Sequence, residues 1–455
     1  MEISEKAKHI LGELNAHGYE AYIVGGAVRD LCLGKEPHDW DITTNARPDE
    51  VKKIFSHTLD TGIKHGTVTV MDGNEGFEVT TYRRDGKYSD GRHPDEVSFA
   101  DSLTEDLQRR DFTINAMAMD KDGMVIDPEG GLRDIERGVI RTVGVASERF
   151  KEDALRMLRA SRFSSTLGFS IDHDTFSSMK KNAHLIENVS KERIRDELTK
   201  LLMGKLPDAG IIFLYESGIL DEILPEVSET MECGQNSPYH NTSVGLHTMN
   251  VLMHLRGDKD ILWAGLLHDI GKPLVKTVNP KTGYDLFAGH PEKSAELAER
   301  ILTRLKFPNK EKAYITELVL CHDFCSSKPS VLRRFAGEHG REFIEDLFKL
   351  KNADAKGHAK SVREELAKKN GELYEKIDGY LKDGSAIKPS DLNITGEELM
   401  ELGIRGKAIG EFLQRAYNDC LGTPEHNTNE MLRRTAGKSA DRLARKYGTE
   451  KEIER

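Results

Sequence analysis

The sequence predicts an α/β head, a small mixed sheet with helices, followed by an all-helical remainder. Two observations carry this. Up to about residue 145, short apolar runs alternate like strands and are separated by Gly-rich turns. Beyond about Glu148 that pattern stops, and apolar residues recur at helical spacing.

In chain order, Ala21-Tyr22-Ile23-Val24 reads as a strand, Gly25-Gly26 as a tight turn and Ala27 to Leu33 as a helix. Thr67 to Met71 and Phe77 to Tyr82 read as strands about an Asp72-Gly73 turn. Phe150 to Leu167 and Lys191 to Met203 read as helices. Asn236-Ser237-Pro238 and Lys388-Pro389-Ser390 mark breaks. The expected division is a head over 1–145, a helical neck over 146–235, a helical body over 236–365 and a helical tail over 366–455.

Composition narrows the class. The chain has 455 residues, enough for two to four domains, with 66 Lys and Arg against 77 Asp and Glu, a net charge of −11. It contains no apolar run of ~18 residues, so no membrane span is expected. The start lacks a basic-then-apolar leader, and five scattered Cys do not form a secreted disulfide framework. A cytoplasmic protein is expected.

The acidity is uneven. Residues 1–148 hold 18 basic and 29 acidic residues, and 206–239 hold 7 acidic and no basic ones. Residues 149–205 hold 12 basic against 8 acidic, and 403–455 hold 11 against 8. A nucleic-acid partner would therefore lie on the neck and tail, through modest, salt-sensitive phosphate neutralisation.

Three constellations in the first half carry chemistry. Gly25-Gly26-Ala27-Val28-Arg29-Asp30 is a strand, turn and helix start. Glycines allow close backbone approach, a helix N-terminus offers free N–H groups to phosphate, and Arg29 adds a bidentate donor. Thirteen residues past Gly26 comes Asp39-Trp40-Asp41. On a strand, i and i+2 share a face, so two carboxylates would stand together as a seat for Mg²⁺, with Glu78 as a third acid on a neighbouring strand.

Arg109-Arg110-Asp111-Phe112-Thr113-Ile114-Asn115-Ala116 pairs two guanidinium groups suited to a triphosphate with an apolar run that buries the segment. Glu152-Asp153-Ala154-Leu155-Arg156 places Asp153 and Arg156 as i and i+3 neighbours on a helix. Arg donates and Asp accepts, so one such pair could match the edges of C and A while leaving G or U with unmatched groups. Arg159 and Arg162 continue the stripe but wind around the helix, Arg162 farthest.

These motifs, in this order, resemble the class II tRNA nucleotidyltransferases, the bacterial CCA-adding enzymes and their poly(A) polymerase relatives. The likeness is densest from Gly25 to Arg162. It implies template-independent addition of CCA to the tRNA 3′ end from CTP and ATP, with pyrophosphate released. By the resemblance, Asp39 and Asp41 bind Mg²⁺ and catalyse, Gly26, Arg29 and Arg110 contact the triphosphate, and Asp153 and Arg156 template the base, assisted by Arg159 and Arg162.

The segment Tyr82 to Pro94 resembles the flexible loop of full CCA-adders, which favours that reading over a partial CC- or A-adding enzyme or a poly(A) polymerase. Gly403 to Gly410, followed by Pro424-Glu425-His426-Asn427, resembles the family's tRNA-holding tail.

Residues 239–363 resemble the HD phosphohydrolase superfamily. The H…HD…D pattern maps to His247, His268, Asp269 and Asp354, and His290 and His322 match the extra pair of two-metal members. Imidazole with carboxylate suits a divalent transition metal. Lys272 and Ser294 are candidate phosphate contacts. Cys321 and Cys325, four residues apart beside His322, read as buried helical cysteines in preference to soft ligands. A phosphohydrolase with a degenerate head is the alternative from another class, and the intact head motifs argue against it.

Overall fold

A computed structural model describes residues 2–63, 66–85, 97–239, 242–385 and 387–447. From Gly86 onward, the expected loop over Tyr82–Pro94 lies outside them. The chain forms two compact units, one of Met1–Glu232 with Glu299–Lys312, the other of Cys233–Ala298 with Ala313–Arg455.

The first unit holds a seven-stranded sheet. Its strands are β1 (Ala21–Val24), β2 (Asp41–Thr44), β3 (Thr58–Gly62), β4 (Thr67–Asp72), β5 (Glu75–Thr81), β6 (Ala118–Met119) and β7 (Val125–Ile126). They lie in the order β3-β4-β5-β2-β1-β6-β7. All neighbours are antiparallel except β2 and β5, which run parallel with Asp41 opposite Glu78.

Period-two alternation turns Ile23, Val68, Val70, Phe77 and Val79 to one face, where they pack on Leu11 and Leu14 of α1 (Glu5–Ala16) and Val28 and Leu31 of α2 (Gly26–Cys32). Full burial of each such side chain contributes roughly 1.5–3 kcal/mol. Gly73 adopts φ 65°, which closes the β4–β5 hairpin at the expected turn.

The helix expected over Phe150–Leu167 is two helices, α3 (Ala146–Glu152) and α4 (Leu155–Leu167). Between them Asp153 is extended, with φ −147° and ψ 104°, and its Oδ1 accepts from the Leu155 N–H at 3.0 Å. A short carboxylate competes with the backbone ladder and starts a new helix. Phe150, Met157, Leu158 and Phe163 are buried on both sides of the break, so apolar periodicity passes through it unmarked. Helix α5 (Lys191–Leu202) packs on α4, close to expectation.

The second unit is helical: α6 (Val244–His254), α7 (Lys259–Leu267), α8 (His290–Arg304) as far as Ala298, α9 (Asn309–Cys321) from Ala313, α10 (Pro329–Gly357) and α11 (Lys360–Lys382). Helices α12 (Lys407–Gly422) and α13 (Asn429–Tyr447) follow, with their own core of Leu399, Phe412, Leu421 and Leu432. The remainder is not wholly helical. Thr277–Val278 pairs with Asp285–Leu286, and Val139–Ile140 with Ser170–Ile171. Ladders of two residues are too short to leave a periodic signal. No helix among the described residues is long and apolar enough to cross a membrane.

One contact in the first unit admits no side chain. Gly131 opens the helix Gly131–Arg137, and a Cβ there would lie 2.2 Å from the Thr113 carbonyl oxygen, in the turn that carries Asn115. Gly131→Ala should destabilise the protein by about 1–3 kcal/mol and lower Tm. Thermal unfolding checks it, and an unchanged Tm would contradict this packing.

Candidate functional site

The head site forms where β1 ends. Val24 is the last residue of β1 in register with β2, opposite Asp41. Gly25 then turns with φ 71° into α2. A Cβ on Gly25 would lie 3.1 Å from Arg110 Nη1 and 3.6 Å from Asp41 Oδ2, so the turn, the carboxylate and the guanidinium converge on one point. Asp41, Glu78, Thr80, Arg83, Arg109 and Arg110 line a cleft of about 250 Å³ there.

Asp39 departs from expectation. β2 begins at Asp41, opposite the last residue of its partner strand, so Asp39 is an exposed residue on the approach to the strand, still near enough to raise the Asp41 and Glu78 carboxyls. Glu78 stands beside Asp41 in parallel register, as a third acid should. Burial and the neighbouring carboxylates push the Glu78 carboxyl above its ordinary range. Burial likewise raises Asp41, against the lowering pull of Arg110 and helped by Asp39. Carboxylates that raise one another are relieved by a divalent cation, so these oxygen donors fit Mg²⁺.

The arginine pair is set by a residue that sequence reasoning missed. Asp106, fully buried, accepts from Arg109 Nε and Nη2 at 3.0 and 2.8 Å and from Arg110 Nη2 at 3.3 Å. Its only sequence signal was its place three and four residues ahead of two arginines. Arg29 folds back over Gly26 and donates to Asp30 Oδ1 and Asn115 Oδ1, both at 2.9 Å.

From Asn115 a network runs into α4 and α5. Asn115 Nδ2 donates to Asp111 Oδ1 at 3.1 Å, and Arg159 Nε donates to Asp111 Oδ2 at 2.8 Å. Arg162 Nε lies 2.9 Å from Glu197 Oε2, a second missed partner. The guanidinium groups of Arg29, Arg159 and Arg162 gather around the Phe163 ring, 5.2, 5.5 and 4.2 Å from its centroid.

Asp153 and Arg156 are not paired as helical neighbours, because the helix breaks at Asp153. Asp153 receives a bidentate pair of bonds from Arg193, at 3.2 and 2.7 Å. Arg156 donates to Glu152 Oε2 at 2.6 Å and to the carbonyls of Arg149 and Arg109 at 3.3 and 3.4 Å.

The second unit gathers all six residues expected there. Asp269 sits at the centre. Its Oδ2 lies 3.8 Å from His247 Nε2 and 3.3 Å from His268 Nε2, and its Oδ1 lies 3.4 Å from His290 Nε2 and 3.7 Å from His322 Nε2. Asp354 Oδ1 closes the first set, 2.8 Å from His247 Nε2 and 3.7 Å from His268 Nε2. One carboxylate thus faces two ligand triads.

The imidazoles are preset. Nδ1–H donates to a backbone carbonyl in His268 (Gly265, 2.8 Å), His290 (Phe287, 2.9 Å) and His322 (Val319, 2.6 Å), which turns each Nε2 lone pair inward. The Nε2 atoms of His290 and His322 then face each other at 3.1 Å, an arrangement that a cation reconciles. This donor set fits a divalent transition metal. Gly357 makes room for it, since a Cβ there would lie 2.8 Å from His247 Cε1.

Lys272 lines the adjoining cleft of about 360 Å³ and donates to Asp269 Oδ2 at 2.7 Å. Ser294 does not reach that cleft. It is fully buried and accepts from the Gly271 N–H at 2.9 Å, so it is a packing residue and the phosphate role fails. His358, missed from sequence, lines the cleft, donates through Nδ1 to the Asp354 backbone carbonyl at 2.8 Å and sets its ring edge-on to that of His247, centroids 5.0 Å apart. Its signal was the i, i+4 spacing from Asp354. Cys321 ends α9 and is buried, whereas Cys325 lies beyond the helix and is exposed, so the two do not form a helical pair.

A mixed sheet with a glycine turn, an acidic strand start and an arginine pair defines a nucleotidyltransferase head, here joined to a helical unit of HD type. Residues 21–141 match the model described as "Poly A polymerase head domain", residues 168–231 the one described as "Probable RNA and SrmB- binding site of polymerase A", and residues 239–382 the "HD domain". A solved CCA-adding enzyme of Bacillus stearothermophilus, in complex with CTP, superposes with a TM-score of 0.73 at 30% identity, over 97% of this chain and 98% of that one. The chain belongs to the CCA-adding enzyme family.

Curated CCA-adding enzymes of Ligilactobacillus salivarius and Geobacillus thermodenitrificans are 54% and 53% identical over 207 and 228 residues, which is 46% and 50% of this chain and 51% and 56% of theirs. The chain therefore spans about half the length of the curated relatives it matches. A tRNA nucleotidyltransferase solved with a primer tRNA and an incoming ATP analog superposes at a TM-score of 0.52 and 25% identity, over 82% of this chain and 98% of that one.

The Asp111 carboxyl titrates in a definite direction. Burial alone would raise it, but the Arg159 charge and the bonds from Asn115 and Arg159 hold it well below the ordinary carboxylate range. A depressed folded-state pKa adds stability above the unfolded value of about 3.9, and that stability is lost as pH falls toward the folded value. The Tm advantage of wild type over Asp111→Asn should be full near neutral pH and shrink below about pH 4. Calorimetry across that range checks it, and a gap independent of pH would refute it.

Proposed function

We propose that this protein adds CCA to the 3′ end of tRNA in the cytoplasm, using CTP and ATP. The observation that carries this reading is the convergence of Gly25, Asp41, Glu78 and Arg110 at one cleft. The chain is read as a head over 1–145, a nucleotide-selecting neck over 146–235, an HD-type body over 236–365 and a tRNA-holding tail over 366–455.

In this reading Arg110, Arg29 and the α2 N-terminus at Gly26 hold the NTP triphosphate. Asp41, with Asp39 on the approach and Glu78 alongside, would hold Mg²⁺, which when bound lowers the pKa of the tRNA 3′-hydroxyl and stabilises charge on the α-phosphate. The hydroxyl attacks the α-phosphorus and pyrophosphate leaves. Asp106 keeps the arginines aimed while their charge neutralises the leaving group.

Asp153 and Arg156 read the base edge. Their present partners, Arg193 and Glu152, hold the two side chains extended until a base with matching groups replaces those bonds. Arg159 and Arg162 are held by Asp111 and Glu197 as support for the pair. A full CCA-adder is favoured over a partial enzyme or a poly(A) polymerase because of the likeness of the Tyr82–Pro94 segment to that loop.

The second unit supports a metal-dependent phosphohydrolase. Two imidazole pairs on a shared Asp269, opening to a cleft that Lys272 lines, suit hydrolysis of a phosphoester with two metals.

Incubation with tRNA lacking CCA, lacking A and complete, each with single NTPs, should show addition that stops at CCA. Long A tails would indicate the polymerase instead. Asp41→Ala should lower the rate by at least about a hundredfold. Retained Mg²⁺-dependent addition in Asp39→Ala and Asp41→Ala would sink the assignment. Exchanging Asp153 and Arg156 should alter the choice among the four NTPs. For the second unit, His268→Ala should abolish release of the alcohol leaving group from a generic phosphodiester and reduce bound metal, while nucleotide addition persists.

A further inference from the structure

A third group of metal-ligand side chains lies in the second unit, apart from the Asp269 triads. Glu317 and Cys321 stand one turn apart on α9, and His339 lies on α10 immediately ahead of Gly340, whose φ of 77° breaks the helix. Their ligand atoms converge. Cys321 Sγ is 3.6 Å from Glu317 Oε1 and 4.0 Å from His339 Nε2, and Nε2 is 3.0 Å from Oε1.

We propose that Glu317, Cys321 and His339 form a zinc site, with water as the fourth ligand. The spacing matches. Zinc bonds of about 2.3 Å to sulfur, about 2.1 Å to nitrogen and about 2.0 Å to oxygen, at tetrahedral angles, put ligand atoms ~3.6 Å apart for S···N, ~3.5 Å for S···O and ~3.3 Å for N···O. Shifts of a few tenths of an ångström bring the observed set to those values.

The imidazole is preset as a ligand. A carbonyl accepts only, so the 3.0 Å contact from Nδ1 to the Phe335 carbonyl oxygen puts the hydrogen on Nδ1 and leaves Nε2 to face the carboxylate and the thiol. His268, His290 and His322 are fixed by the same device. Phe335 and Phe343 flank the His339 ring with centroids 4.4 Å away on either contact, which fixes its plane.

The chemistry of the donors selects the ion. Thiolate and imidazole favour zinc over Mg²⁺ or Ca²⁺. One thiolate and one carboxylate balance the charge of Zn²⁺, with the thiol proton released to solvent on binding. Cys321 is buried and His339 half-buried, while the Glu317 side chain is 44% exposed, which opens the fourth position to water.

The site would tie the end of α9 to the part of α10 ahead of the Gly340 break, where Phe324 stacks on Phe335 at 3.8 Å. Cys321 directly precedes His322, so this zinc would hold in place the segment that presents His322 to Asp269.

The test is a Co²⁺ titration of the full chain after chelator stripping and dialysis. Thiolate-bound Co²⁺ gives a near-ultraviolet charge-transfer band, which the Asp269 triads, built of nitrogen and oxygen donors, do not give. We expect a band that saturates at one equivalent of the Co²⁺ bound in this way, is displaced by Zn²⁺, persists in Cys325→Ser and His268→Ala, and is lost in Cys321→Ser with the far-ultraviolet helical signal unchanged. His339→Ala should weaken Co²⁺ binding at this site at least tenfold. No band in wild type, a band that survives Cys321→Ser, or one lost in Cys325→Ser would overturn the site. If Cys321→Ser does not fold, the wild-type, Cys325→Ser and His339→Ala titrations decide.

Discussion

The ion pair of Asp106 with Arg109 and Arg110 is the interaction on which the first unit's site depends. A carboxylate with no exposure to water is tolerated only where cations face it. Asp106 answers this with two guanidinium groups and also accepts from the Arg83 N–H at 3.3 Å. Burial would drive its carboxyl upward, yet the two arginines hold it below the ordinary range. The consequence is positional: Arg110 is left beside the Gly25 turn and Asp41, where phosphate and metal chemistry would meet. The glycine is part of the same constraint, since any side chain there would press on the guanidinium.

The second unit meets the same problem with a different counter-charge. Asp269 is buried among four imidazoles and Lys272. Lys272 supplies its cation at 2.7 Å, and the inward Nε2 lone pairs would suit a metal beside the same carboxylate. Backbone carbonyls supply the rigidity, since each fixes a ring by its far nitrogen and leaves the near one available.

Charge also connects the Gly25 turn to α4. Arg29, Asn115, Asp111 and Arg159 form a continuous chain of hydrogen bonds from α2 to α4, with Phe163 beneath the arginines. The Phe163 ring accepts cations on its face and packs edge-on against Phe112 at 5.7 Å, so the polar chain rests on an apolar floor. If Arg29 holds a nucleotide as proposed, its displacement would act on the same network that sets Arg159.

Local order was legible in the residues themselves. Strand β1, the Gly25 turn, the β4–β5 hairpin and helix α5 follow from alternation, glycine and helical spacing, because those signals span only a few neighbours. The candidate ligand residues His247, His268, Asp269, His290, His322 and Asp354 were legible as residue types in a recognisable order. What spacing could not carry was every decision made by contact. The break at Asp153 is hidden because apolar periodicity continues across it, and only the carboxylate cap and Arg193 reveal that Asp153 and Arg156 face different partners. The end of β2 at Asp41 was set by where β1 stops, not by the Asp-x-Asp pattern. Asp106, Glu197, His358 and the Glu317–Cys321–His339 group were invisible for one reason: an ion pair or ligand set is defined by distance, and distance between remote residues exists only once the chain has folded. The sequence by itself determined which chemistries were present and in what order. The tertiary structure alone decided which carboxylate meets which cation, because burial forces each charge to find its partner in space.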